Sequence, residues 1–157
     1  MMVTMATSTS MLVINSAFMQ EIKDSNPALE GTMHRLRQVC ESEDNVMQIS
    51  RQLTKLLNGL RDELSLQFAL EETYGYVEAT ECPSQDLSDA AHKSRSEHRT
   101  LYLTVTELAE AAEELQYRGV EPDQLRTLIE NTRLFNRVLR EHEQAENELI
   151  DQSFDLR

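Results

Sequence analysis

Three observations predict an all-α chain folded as one up-and-down antiparallel four-helix bundle: scarce helix breakers, a helix-forming composition, and four apolar stripes at helical spacing. Only four Gly and three Pro punctuate the 157 residues. Leu, Glu, Ala, Gln and Arg dominate the rest, and such straight-chain or small side chains lose little rotamer freedom in a helix. Three polar breaks separate the stripes, at ESEDN (41–45), ECPSQDLSD (81–89) and RGVEPD (118–123). A chain of this length makes about one domain, and 39% hydrophobic residues can fill one core. The expectation is a single domain over 1–157 with a flexible N-terminal segment over 1–12.

The first stripe runs through Leu12, Met19, Ile22, Asn26, Leu29, Met33, Leu36 and Cys40, with Pro27 either kinking the helix or marking its true first turn. The second follows Val46, Ile49, Leu53, Leu56, Leu60, Leu64, Gln67, Glu71 and Tyr74. The third follows Leu87, Ala91, Ser94, His98, Leu101, Val105, Leu108, Ala112 and Leu115; Ser84, Ser88 and Asp89 are all competent N-caps for it. The fourth is the most regular, stepping by three and four through Leu125, Leu128, Thr132, Phe135, Leu139, His142, Glu146 and Leu149. Gly119 suits the end of the third helix and Pro122 the first turn of the fourth, which starts near Glu121.

A net charge of −13 and a pI of 4.7 repel phosphate backbones and anionic headgroups, so neither nucleic acid nor membrane is an expected partner. The opening MMVTMATSTSMLVINSAF has no basic n-region and no long apolar run, and a cytoplasmic location is expected. Cys40 and Cys82 fall near successive helix connections, at opposite ends of such a bundle, and read as free thiols, Cys40 as a small core residue. No nucleophile–base pair, Gly-rich phosphate loop or zinc-finger spacing occurs, so catalysis is not expected. Self-association stays open, because faces that pack within a bundle and between subunits look alike.

Polar residues on the stripes carry the functional reading. His98 and His142 lie about equally far from the Gly119 turn, and Glu71 and His98 similarly far from the break at Cys82 and Pro83. Gln67 is one turn from Glu71, and His142 with Glu146 at i, i+4 puts two ligand types on one face. Asn26 should lie roughly 10 Å off this level at about 1.5 Å of rise per residue, which Glu21 or Asp24 would match better. His34, His92, Tyr74 and Tyr76 have no assigned role, and Glu110, Glu113 and Glu114 read as a solvated face.

The segments LQFALEETYGYVE (66–78), SEHRTLYL (96–103), LREHEQAENELI (139–150) and NPALEGTMHRL (26–36) resemble, in order and spacing, the ligand-bearing helices of the hemerythrin-like family. That resemblance implies a four-helix bundle around a non-haem iron centre, with Glu71 and Glu146 matching the bridging carboxylates and His98 and His142 matching histidine ligands. Three family histidines are replaced, by Asn26, Gln67 and Tyr102. One iron subsite thus keeps no nitrogen ligand, while the other keeps His98 and His142. The resemblance implies one metal ion, iron first with zinc or manganese as alternatives, and a role in binding or sensing oxygen, nitric oxide or iron. The alternative is a metal-free bundle in which the same polar layer is a hydrogen-bonded network serving protein interaction or structural support. A di-iron enzyme would need further ligands, for which Glu21 and Asp24 are the candidates.

Overall fold

The computed structural model describes residues 11–81 and 84–155, and within them the chain is helical apart from two short strands that pair with each other and the connections between elements. Strand β1 (Met11–Ile14) leads into α1 (Ser16–Asp24), α2 (Pro27–Cys40) and α3 (Val46–Leu70). A π-helical turn (Glu71–Gly75) then delivers the chain to β2 (Tyr76–Ala79), followed by α4 (Gln85–Arg118) and α5 (Pro122–Asp155).

Local chemistry sets the boundaries. Side-chain oxygens of Asn15, Asn45 and Ser84 each accept a hydrogen bond from the backbone N–H three residues on, at Phe18, Gln48 and Leu87, which starts α1, α3 and α4. Of the three expected cap candidates for α4, Ser84 is the one used. Glu121 accepts from the N–H groups of Asp123 and Gln124 at the start of α5. Gly119 ends α4 with a φ of 100°, a conformation closed to most side chains.

The first stripe is not one helix. Pro27 has no N–H to give and pushes Asn26 out of helical geometry (φ −126°, ψ 62°), so α1 and α2 separate there and Pro27 is the first residue of α2. Leu12 belongs to β1, which pairs antiparallel with β2 from Met11 opposite Ala79 to Ile14 opposite Tyr76. Of the segment expected to be flexible, Met11 and Leu12 are thus strand residues, and 1–10 lie outside the described residues. Cys82 also lies outside them.

In the interior, α3 packs on α2 and α4, and α5 packs on α4 and α2. Every residue of the fourth stripe is buried, as is the third except half-buried Leu87. On α3 the stripe is wider than expected: Leu57 and Phe68 are buried too, whereas Val46 and Tyr74 are exposed. A second apolar cluster joins Leu12, Ile14, Met19 and Tyr76 to Ala91, Leu149 and Ile150, fastening the two-stranded sheet across α4 and α5. Leu12 N–H donates to the buried Ser88 hydroxyl, a tie from β1 to α4. Cys40 is a free, buried thiol, and burial pushes its pKa up to about 11. No helix among the described residues is long and apolar enough to cross a membrane.

Candidate metal centre

The polar residues of the stripes meet between the large apolar core and the apolar cluster around the two strands. His98 from α4, His142 from α5 and Glu146, one turn further along α5, are each at most 3% exposed. Among the described residues, each offers a ligand atom within 4.8 Å of the other two. Glu146 lies between the rings, with Oε2 at 3.2 Å from His98 Nε2 and Oε1 at 3.3 Å from His142 Nε2. Glu71, fully buried at the start of the π-helical turn, brings Oε1 to 3.1 Å from His98 Nε2; it joins on the His98 side and is not one of the three mutually close ligands.

Both imidazoles are fixed from outside. His98 Nδ1 lies 2.9 Å from Glu72 Oε2, and His142 Nδ1 lies 2.8 Å from Glu97 Oε1. An ionised carboxylate can only accept, so each Nδ1 carries a proton and each Nε2 is aimed inward. Phe68 stacks on His98 with centroids 4.1 Å apart and planes 7° from parallel, which fixes that ring's tilt. No protein-family model, curated protein or solved structure matches the chain.

The remaining partners were not legible as site residues. Lys23 of α1, only 10% exposed, reaches Glu143 Oε1 and Glu146 Oε1 at 2.9 Å each and Glu71 Oε2 at 3.6 Å. Tyr76 of β2 donates its hydroxyl to Glu146 Oε2 at 2.6 Å. Lys23 stands four residues after Met19 on the buried side of α1, the one sequence signal that could have flagged it. Tyr76 carried no such signal, since its burial depends on a strand that helical spacing does not reveal.

The amides at Asn26 and Gln67 extend the network. Asn26 donates to Gln67 Oε1 at 2.8 Å, and Gln67 donates to Glu71 Oε2 at 3.0 Å and Glu143 Oε1 at 3.3 Å. Asn26 therefore sits at the level of Gln67, against the expected offset. That offset assumed that α2 and α3 begin level at their connection, but the first turn of α3 stands clear of the core with Val46 and Met47 exposed. Glu21 and Asp24 are at the surface, Asp24 bonded to Gln20, so neither reaches the centre. Tyr102 is 37% exposed and also lies off it. His34 and His92 are exposed.

Electrostatics follow from burial and close opposite charges. For His98, burial opposes the charged form, but Glu146 and Glu71 outweigh it and carry the imidazolium pKa up to about 10. His142 is raised in the same way, burial opposing and Glu146 and Glu97 prevailing. Lys23 is raised too, because Glu146, Glu143 and Glu71 overcome its desolvation. Glu146, despite burial, is held well below the usual carboxylate range by His142, His98 and Lys23, whereas burial dominates at Glu71 and raises it. Burial and the neighbouring Glu146 raise the Tyr76 phenol, so it remains a donor.

A cleft of about 610 Å³ between α4 and α5 reaches this layer, with His142 and Glu97 in its wall and Glu141, Glu148 and a single cation, Lys93, also lining it. The acidic lining suits approach of a cation.

Proposed function

We propose that α2–α5 form an up-and-down antiparallel four-helix bundle of hemerythrin-like type, and that its function is to bind one metal ion through His98, His142, Glu146 and Glu71. The observation that carries this reading is the arrangement at the inward nitrogens. Both Nδ1 atoms are committed to outer carboxylates, which leaves each Nε2 facing carboxylate oxygens at 3.1 to 3.3 Å. Lone pairs facing one another at that distance repel, so the gap calls for a second proton on each ring or for a cation shared among the ligands. His98 Nε2 has hydrogen-bond geometry to Glu146 Oε2, whereas His142 Nε2 and Glu71 Oε1 are buried with no hydrogen-bond partner, two unsatisfied ligand atoms that a shared cation would satisfy. Outer carboxylates on ligand histidines are the usual support of such centres.

Two imidazoles with carboxylates suit iron, and also zinc or manganese. A bound ferrous ion would supply a redox-active Lewis acid able to take a small ligand such as oxygen or nitric oxide. The chain's own part is to orient the imidazoles through Glu72 and Glu97, hold Glu146 ionised, and admit ions along the α4–α5 cleft.

Metal analysis of protein purified without chelator and after reconstitution with ferrous, zinc or manganese ions tests the reading. One ion per chain is expected, lost in His142→Ala; no bound ion under any of these conditions refutes it. A second reading, a metal-free network stabilising the helices, is favoured by Lys23, whose ammonium already balances part of the buried negative charge. It predicts that chelators leave the melting temperature unchanged.

A further inference from the structure

A cavity of about 250 Å³ between the last turn of α2 and the middle of α5 has a wall unlike the rest of this acidic chain. Arg37 comes from α2 and Arg133, Arg137 and Arg140 from α5, so four of the 15 basic residues meet at one concavity in a protein of net charge −13. The three on α5 follow at intervals of four and three residues, which sets like charges side by side on one helix face, a destabilising arrangement by itself. The arginines that do pair with carboxylates are Arg61, Arg118 and Arg126; among the described residues none of the cavity's four does. Arg133 donates to the Cys40 carbonyl at 2.7 Å, satisfying the open end of α2, and Arg37 donates to His34 Nδ1 at 3.1 Å. A guanidinium has five N–H donors, so each keeps most of its capacity. Glu41 is the one acid in the wall, and burial keeps the Cys40 thiol neutral at physiological pH, so a single carboxylate faces the four guanidinium groups. Asn136 lines the same cavity and is only 7% exposed. Its Nδ2 donates to the Met33 carbonyl at 3.1 Å, and its Oδ1 has no partner, an uncommon state for a buried amide oxygen.

We propose that this cavity binds a small phosphate anion, either hydrogen phosphate or the phosphate monoester of a hydroxyl-bearing molecule. Phosphate carries nearly two negative charges and presents acceptor oxygens on several sides, so guanidinium groups arriving from two helices can each engage a different edge. A lone carboxylate offers one planar edge and one charge. The P–OH of hydrogen phosphate, or a hydroxyl of the esterified molecule, supplies the donor that Asn136 Oδ1 can accept; sulfate has none. The acidic remainder of the chain repels nucleic acid and other extended polyanions, whereas the local excess of guanidinium over carboxylate holds a single small one. The cavity shares no residue with the proposed metal centre, and the inference does not rest on it.

Isothermal titration calorimetry of the full-length chain with inorganic phosphate, glycerol 3-phosphate and sulfate, at one ionic strength, tests the site. The proteins compared are the wild type, the double variant Arg137→Gln/Arg140→Gln, and Arg51→Gln, which removes a positive charge from the exposed side of α3 away from the cavity. The expected result is saturable binding of one phosphate or ester per wild-type chain, with sulfate weaker. Affinity should fall about tenfold or more in the double variant, the scale of a lost hydrogen bond between charged groups, and stay unchanged in Arg51→Gln. Whichever of phosphate and its ester binds more tightly identifies the source of the group, and either order upholds the site. No saturable binding of either, or equal affinity in the double variant, overturns the proposal, since a phosphate held elsewhere would ignore these arginines. Sulfate binding as tightly as phosphate overturns the choice of ligand. Both substituted side chains are exposed, and circular dichroism checks that the fold is kept. Should the double variant fail to fold, Arg140→Gln alone should show the same loss of about tenfold, and an unchanged affinity there overturns the site.

Discussion

In the metal-free protein the proton on His98 is a stabilising element with a defined pH window. Its pKa rises from 6.5 to about 10 on folding, so between those values the folded state binds a proton that the unfolded chain has released, and stability falls as pH rises. The contribution is complete below pH 6.5 and gone above about 10. At about 1.36 kcal/mol per pKa unit, the interval corresponds to roughly 5 kcal/mol, a large part of the stability of an ordinary domain. Urea unfolding at a series of pH values from 6 to 10 in the presence of chelator measures this directly. His98→Gln is the comparison, since the amide can still donate to Glu146 or Glu71 but does not titrate. His142, whose pKa also rises on folding, adds to the slope of both curves, and because it shares Glu146 with His98 the difference between them reports the removal of His98 together with its effect on that pair. Wild-type and His98→Gln curves running parallel across the whole interval would refute the reasoning.

Three further outcomes follow from the same geometry. Uptake of a divalent ion should release protons, because the inward Nε2 atoms of His98 and His142 exchange a proton for the metal; a pH indicator in weak buffer reads this, and uptake without release would contradict the assigned ligands. Tyr76→Phe removes the 2.6 Å hydrogen bond to Glu146 and should lower stability by about 1.5–3 kcal/mol in denaturant titration. Gly75→Ala places a methyl against the side chain of the fully buried Met19 and should cost about 1–3 kcal/mol in the same assay, with a change under about 0.5 kcal/mol arguing against that close packing.

Periodicity reached furthest where a helix is long and its environment uniform. On α5 the eight expected inward positions from Leu125 to Leu149 are all buried, because in a 34-residue helix the 3.6-residue period dictates which side faces the core. The same logic brought His98, His142, Glu71 and Glu146 to one layer. It failed where the chain is short or its environment is set from afar. MLVI and YVEA are strands of four residues, too brief for a period to show, and they were absorbed into neighbouring helical patterns. Lys23 looks in sequence like any solvated lysine on a helix flank; only carboxylates more than a hundred residues away on α5, with Glu71 of the second stripe, make its burial favourable. Glu97 illustrates the same point from the other side, being adjacent to His98 in sequence yet serving His142 on the facing helix.

The π-helical turn at Glu71–Gly75 behaves as a helix with one residue more than its α-helical length. Deleting a single residue there would restore regular winding but swing everything that follows by about 100° about the helix axis. β2 would then leave α3 in a different direction, carrying the Tyr76 hydroxyl away from Glu146 and itself out of register with β1. Chain length between Glu71 and Tyr76 is thus a constraint as strict as residue identity. A homologous chain one residue shorter in this segment would have to rebuild the roof over the histidines by other means.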